Sequence, residues 1–356
     1  MTPKPPTPTL HDVAEAASVS TATVSRCLNF PEKVSERTRT KVLEAVKKLG
    51  YMPNFGAQAM AARRTNTIGA IIPTMENAIF ARGLQAFQDE LRLHGFTMLV
   101  ASTNYCPEVE QEQIRSLVAR GADALLLIGH ERDPEIYDFL ETQSVPYIVT
   151  WNYDTASGHP SVGFDNQSAM QSIAQQVIEL GHSRLGFITA STVGNDRTAA
   201  RLVGMRAAMT EAGLNPDKLA CVETTYGIEQ GAVAFQQIMQ ATPRPTAVIC
   251  GNDVLAVGAM RAARELGISV PEDVSITGFD DMELAKVAYP PLSTVHVPHG
   301  EMGRRAALAL ASHLKNGEPL ESVKLETRVV LRGSLTAPQT ADQTSQDLSG
   351  TPFAIG

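Results

Sequence analysis

The sequence predicts a small all-α head followed by a larger α/β body with doubly wound parallel sheets. Three observations carry this. Residues 1–64 hold ten Lys and Arg against five Asp and Glu, a balance of +5, while the rest of the chain holds 20 against 33, a balance of −13. Apolar residues recur at helical spacing up to Gly50, then from Thr67 fall into short runs that alternate with amphipathic stretches. The length of 356 residues is enough for more than one domain.

Residues 1–8 are Pro-rich and are expected to be disordered. In the first helix Leu10, Val13, Ala14 and Ala17 share one face, and Thr9 can cap its N-terminus. The second helix follows within a few residues. Ser20 is its N-cap, Val19 can staple onto Val24, and Val24, Cys27 and Leu28 form its inner edge. The third has Ser35 as N-cap, Val42, Ala45, Val46 and Leu49 inward, and Gly50 as its stop. Asn54 can cap a short helix over Phe55 to Ala62, too short to be stable alone, so residues 53–66 read as a hinge and linker.

In the body the expected strands are TIGAIIP, FTMLVAS, DALLLIG, PYIVTWN, RLGFITA, AVICGND and VSITGFD. Helices are expected near 80–94, 108–119, 166–180, 198–212 and 254–265. This alternation places helices on both faces of parallel sheets. A weak internal echo in element order suggests two lobes with a cleft between them, at the carboxyl ends of strands. Residues 336–356, rich in Thr, Ser, Gln and Gly, read as a disordered tail.

Several functions are disfavoured. The chain lacks G-x-G-x-x-G after a strand, G-x-x-x-x-G-K-[ST], G-x-S-x-G and H-E-x-x-H, so no enzyme is expected. The eight histidines never fall at metal-ligand spacing, and neither metal nor cofactor is expected. His182, between a helix end and a strand, reads as structural. The four scattered cysteines read as reduced and mostly buried thiols. No apolar run approaches membrane-spanning length, and MTPKPPTPTL lacks the apolar core of a secretory signal. The expected location is the cytoplasm.

A basic head on an acidic body suggests that the head alone meets a polyanion. The second helix reads as the recognition helix of a helix-turn-helix, with Thr21, Ala22, Ser25, Arg26 and Asn29 on its outer face. Arg26 can donate two hydrogen bonds to guanine, and Ala22 can pack on a thymine methyl. Thr23 and Ser25 can bond phosphates and so set register. Small residues between these let the helix sink into a major groove.

The segments LHDVAEAASVSTATVSRCLN, VSERTRTKVLEAVKKLGYMPNFGAQAMAARRTNTIGAIIP, GHSRLGFI, GNDVLAVGAMRAARELGISVPEDVSITGFDD and PLSTVHVPHGEMGRRAALAL resemble the lactose-repressor/galactose-repressor (LacI/GalR) family of bacterial regulators. The resemblance spans roughly 9–335. It implies a helix-turn-helix domain over 9–52, a hinge over 53–66, and an effector-binding and dimerisation domain over 67–335. That body would be periplasmic-binding-protein-like, its two lobes crossed near 163–166, 293–298 and 322–328. The implied partners are operator DNA, near-palindromic and read in both grooves, a second copy of the chain, and a small effector. Thr21, Ala22 and Arg26 match base-reading positions, and Pro53, Asn54 and Ala57 match the hinge. Met60 stands where the family usually has a Leu that wedges into the minor groove; Met is apolar and flexible and can still unstack a base step. The C-terminal stretch is not a leucine-heptad helix, so a dimer is expected rather than a tetramer.

Positions matching the family's effector contacts are Phe80, Trp151, Arg197, Arg201, Tyr226, Asn252 and Asp280. Trp151 departs from the Asp of many sugar-binding members. Arg197 and Arg201, at i and i+4, could clamp a carboxylate. NDRT and VGFDN also resemble gluconate-responsive members. The resemblance therefore favours a regulator, most often a repressor, controlled by a sugar-like effector such as a sugar acid. The rival is a transport-type solute-binding protein on the same body fold.

Overall fold

A computed structural model of the chain describes residues 7–52, 64–76 and 78–339, and for Asn29 the backbone alone. Two compact units divide between Asn66 and Thr67.

The first unit holds α1 (Leu10–Ala17), α2 (Thr21–Asn29) and α3 (Glu36–Leu49). Each begins on a side-chain cap. Thr9 and Asp12 form a reciprocal capping box, Ser20 accepts from the Thr23 amide, and Ser35 accepts from the Thr38 amide. The third ends on Gly50 at φ 62°. Val13, Ala14, Ala17, Val24, Cys27, Val42 and Ala45 form one core, with Val19 packed against it. Tyr51 joins this core from beyond the third helix. The proposed hinge residues Pro53, Asn54, Ala57 and Met60 lie outside the described residues, as does the side chain of Asn29.

The second unit contains two parallel sheets. The larger has strand order β11-β5-β4-β3-β1-β2, from β1 (Thr67–Ile72), β2 (Thr97–Ser102), β3 (Ala124–Ile128), β4 (Tyr147–Thr150), β5 (Ser161–Gly163) and β11 (Val323–Lys324). The smaller has order β7-β6-β8-β9, from β6 (Leu185–Ala190), β7 (Ala220–Thr224), β8 (Ala247–Cys250) and β9 (Ser275–Thr277). In each, the first strand sits inside and the order reverses beside it, which opens a crevice at the carboxyl ends. Central strands are buried along their whole length, as parallel strands covered on both faces must be.

Helices α4 (Ala78–Leu93), α5 (Pro107–Ala119), α6 (Pro134–Thr142) and α12 (His299–Asn316) belong to the first lobe. Helices α7 (Asn166–Glu179), α8 (Asp196–Glu211), α9 (Ile228–Ile238), α10 (Asp253–Glu265) and α11 (Glu283–Val287) belong to the second. Between the lobes the chain passes after β5, through β10 (Thr294–His296) and between β11 and β12 (Arg328–Val330), where β10 and β12 pair antiparallel.

The strands and helices expected in the body are present, with additions. Helices α6, α9, α11 and α12, the edge strand β7 and the short strands β5, β10, β11 and β12 are not among the elements read from periodicity. The apolar spacing of α12 (Met302, Ala306, Ala307, Leu310, Ala311, Leu314) is regular, but its opening HGEMGRR is polar and glycine-rich and hides the start. Strands of two or three residues are too short to show a period. Two further expectations need correction. Cys27 and Cys250 are buried, but Cys106 is half-buried and Cys221 is exposed, because β7 is the edge strand of its sheet. Thr336, assigned to the tail, is tied to the second lobe: its amide donates to Ser275 Oγ and its carbonyl accepts from His182 Nε2 at 2.7 Å. His182 is 2% exposed and its other ring nitrogen meets Thr246 Oγ1, a structural role as expected. Residues 340–356 lie outside the described residues.

Candidate functional site

In the head, Thr21, Ala22 and Arg26 are exposed on α2, away from the buried edge of Val24 and Cys27. Thr23 has its hydroxyl against Ser20 Oγ at 2.8 Å and its amide on the same oxygen, so it belongs to the cap at the helix N-terminus. Ser25 is half-buried.

In the body the loops after β1, β2, β3 and β4 face those after β6, β7, β8 and β9. They enclose a small inner chamber of about 20 Å³ and an outer cleft of about 690 Å³. Phe80, Trp151, Arg197, Arg201, Tyr226 and Asp280 all line the inner chamber. Asn252 does not. Its Oδ1 caps α10 through the Leu255 amide, while its buried Nδ2 has no partner.

Trp151 follows β4 at φ 61° and is 3% exposed. Its ring stacks 6.0 Å from His299 and tilts 5.3 Å from Phe80. Gly83 makes room for it, since a Cβ there would stand 2.4 Å from the indole. The indole thus fills the inner end of the cleft, and its Nε1–H is buried without a partner.

The two arginines differ. Arg197 donates to Asp196 Oδ1 at 2.9 Å and is thereby paired. Arg201 is 7% exposed and has no carboxylate at ion-pair distance among the described residues. Its Nη2 donates to the Tyr226 hydroxyl at 3.3 Å, its plane lies 4.9 Å over Phe279, and its Nε–H has no acceptor. Across the same chamber Asp280 is 2% exposed and held at φ 103°. One of its carboxylate oxygens has no donor, and the other is 3.5 Å from His299 Nε2. A buried guanidinium with no carboxylate partner among the described residues and a buried carboxylate with one unsatisfied oxygen therefore share one chamber without pairing to each other. Buried ionised groups of this kind are costly unless something satisfies them.

Sequence reasoning missed Asp196 and Tyr105. Asp196 opens α8 on the second lobe, yet its Oδ2 accepts from the His130 amide at 2.6 Å and from Asn152 Nδ2 at 2.7 Å, both on the first lobe. Burial works to raise its carboxyl, but Arg197 and these hydrogen bonds outweigh it and hold it below the ordinary carboxylate value. Gly129 lets the helix approach: it sits at φ 70°, and a Cβ would fall 1.9 Å from Arg197 Nη1. Tyr105, from the loop after β2, meets Tyr226 of the other lobe at 5.9 Å between ring centroids. An acidic residue at a helix start and an aromatic in a loop carry no periodic signal, so nothing in the pattern marks them.

Among the described residues no three His, Cys, Asp or Glu converge as a metal site, and no helix is long and apolar enough to cross a membrane.

Residues 9–54 match the bacterial regulatory proteins of the lacI family, and residues 174–335 match the periplasmic binding protein-like domain. The HTH-type transcriptional regulator GntR of Escherichia coli strain K12 is 31% identical over 308 residues, 86% of this chain and 92% of that protein. A LacI-family transcriptional regulator from Silicibacter pomeroyi has a similar crystal structure, with TM-score 0.83 and 27% identity over 92% of this chain and 99% of that one. The structure of the transcriptional regulator CelR in complex with cellobiose is similar at TM-score 0.67 and 29% identity, over 92% and 99% of the two chains. This chain belongs to the LacI family and is a non-enzymatic, DNA-binding transcription regulator of the repressor type, with an effector-binding body.

Proposed function

We propose that the chain works as a homodimer on a near-palindromic operator and is controlled by a sugar acid bound between its lobes. Thr21, Ala22 and Arg26 face base edges in this reading, with Asn29 on the same outer face, Thr23 and Ser25 hold the backbone, and Met60 enters the minor groove. Closing or opening the lobes moves the hinge and so changes the grip on the operator.

The observation that carries the sugar-acid reading is Arg201, with no carboxylate partner among the described residues, lining one chamber with the unsatisfied oxygen of Asp280. A ligand bearing both an acid and hydroxyl groups satisfies both, the acid on Arg201 and a hydroxyl on Asp280. The carboxylate clamp expected from two arginines is thereby reduced to one, because Arg197 is taken by Asp196. A neutral sugar is the second reading, favoured by Asp280 and by the cellobiose bound to CelR.

Fluorescence anisotropy of labelled operator, titrated with aldonates, uronates and neutral sugars, tests this. At least one acid should change operator binding, and Arg201→Gln should weaken the response about tenfold or more, as expected for a charge-assisted contact. A response confined to neutral sugars, unchanged in Arg201→Gln, refutes the acid reading.

A further inference from the structure

We propose that Asn166 reads a hydroxyl of the effector and passes its presence to the interlobe contact at Asp196 through Asn152. The inference rests on an effector bound in the cleft, as proposed above, and adds which group senses it and by what route the lobes respond.

Asn166 opens α7, just after the first crossing between the lobes, and is 1% exposed. Asn is a poor helix former and serves chiefly as a cap. Here the cap is Asp165, whose carboxylate accepts from the Ser168 amide at 2.9 Å, so Asn166 is free for another role. Its Nδ2 donates to the Trp151 carbonyl at 2.9 Å and to Asn152 Oδ1 at 3.4 Å. Turning the amide over would set its oxygen against the Trp151 carbonyl, so its orientation is fixed. The other end, Oδ1, is buried without a donor in a residue that lines the inner chamber. A buried acceptor of this kind is costly until a donor reaches it. Trp151 Nε1–H and Arg201 Nε–H, unsatisfied in the same chamber, do not pair with it. Those two donors suit the oxygens of an acid, whereas Asn166 Oδ1 takes a hydroxyl and repels a carboxylate.

Asn152 is oriented in the same way. Its Oδ1 accepts from the Tyr153 amide at 3.0 Å, so its Nδ2 is the end that donates to Asp196 Oδ2 at 2.7 Å. Gly163 admits the Asn152 backbone, since a Cβ there would fall 2.1 Å from its carbonyl oxygen. With a ligand hydroxyl in place, every donor in the run points the same way: hydroxyl to Asn166, Asn166 to Asn152, Asn152 to Asp196. Hydrogen bonds aligned in a chain polarise and strengthen one another, so a hydroxyl at one end tightens the contact at the other.

Gluconate, galacturonate and glucose, each with its full set of monodeoxy analogues, are titrated into the full-length protein by calorimetry. Hydrogen exchange of the His130 amide, the other donor to Asp196, is followed without ligand and at saturation. Loss of one hydroxyl should weaken binding to wild type about fivefold or more, and this ratio should vanish in Asn166→Leu. The parent ligand should also protect the His130 amide more than that deoxy analogue does. In Asn152→Ala the affinity ratio should remain while the difference in protection disappears, and without ligand protection should fall about fivefold or more. Asn166→Asp keeps an acceptor oxygen and loses both donors, so it should repeat the Asn152→Ala pattern and carries the test if Asn166→Leu does not fold. A deoxy ratio that persists in Asn166→Leu overturns the hydroxyl contact, because a merely structural Asn166 weakens both ligands equally. Equal His130 protection by parent and deoxy analogue in wild type, or an undiminished difference in Asn152→Ala, overturns the relay. Binding of glucose alone overturns the sugar-acid reading instead, and the glucose series then decides the relay. Binding by no member overturns the inference together with the proposed effector class.

Discussion

Replacing Asp196 by Ala should loosen the closure of the two lobes. Its Oδ2 receives two hydrogen bonds from the first lobe, at 2.6 and 2.7 Å. Hydrogen bonds to a charged group contribute ~1.5–3 kcal/mol each in net terms. The carboxylate is 19% exposed, so water replaces part of what is lost on opening. A shift of ~2–3 kcal/mol in the closed–open balance is expected, roughly 30–150-fold in its equilibrium constant. The exposed pair Arg82–Glu283 also spans the lobes at 3.1 Å, but pairs at 46% and 68% exposure add little.

The assay follows from the geometry. The His130 amide is itself a donor to Asp196, so its hydrogen exchange reads the latch directly. Protection should fall by roughly the same 30–150-fold after correction for intrinsic rates. Gly129→Ala should act in the same direction by a different route, wedging a methyl against Arg197 Nη1 and Asp196 Oδ1 while leaving the carboxylate in the chain. A ligand that bridges both lobes binds the closed form, so its apparent affinity should drop in both variants. The pH dependence has a definite sign. A depressed carboxyl value means the latch is intact above the ordinary 3.8 and is lost as pH falls through the lower folded value, so protection should stay flat between about pH 5 and 8. His130 protection within about threefold of wild type in both variants would refute the latch.

Two other predictions use different readouts. Arg26→Ala should cost ~1–3 kcal/mol on the operator and relax discrimination at one base pair, measured by anisotropy against single-base variants; an equal loss on random DNA would mean a phosphate contact only. Asp253→Asn should flatten the pH dependence of Tm. Burial, with Asp280 nearby, pushes the Asp253 carboxyl up to about 8 against hydrogen bonds from Thr294 and Met282. The folded protein therefore keeps a proton that the unfolded chain releases above 3.8, and its stability falls as pH climbs from there to about 8. The amide variant lacks this loss and should gain on wild type as pH rises; a variant that instead falls behind with rising pH contradicts the assignment.

The head was legible because its signals are local. A capping serine or threonine three residues before its bonded amide, and a glycine at the helix stop, act within one turn, and Thr9, Ser20, Ser35 and Gly50 all do so here. The parallel strands were legible because burial on both faces demands unbroken apolar runs, as in ALLLI of β3. The short crossing strands carry no such demand. Their pairing depends on segments far apart in the chain, such as Thr294 with Val330.

The cleft marks the limit of what one chain's pattern can show. Arg197 and Arg201 sit on one helix face in the sequence, and an i, i+4 pair reads as a clamp. Which of them is free is decided by Asp196, and what Asp196 does is decided by two loops of the other lobe. An Asp at the first position of a helix ordinarily complements the helix dipole. Here its Oδ1 takes Arg197 and its Oδ2 takes the first lobe, so one carboxylate both removes an arginine from ligand binding and joins the walls of the site. If the cleft binds the effector as proposed, its specificity and its closure are coupled through a single side chain. A substitution that frees Arg197 to bind a ligand also weakens the closure that ligand needs.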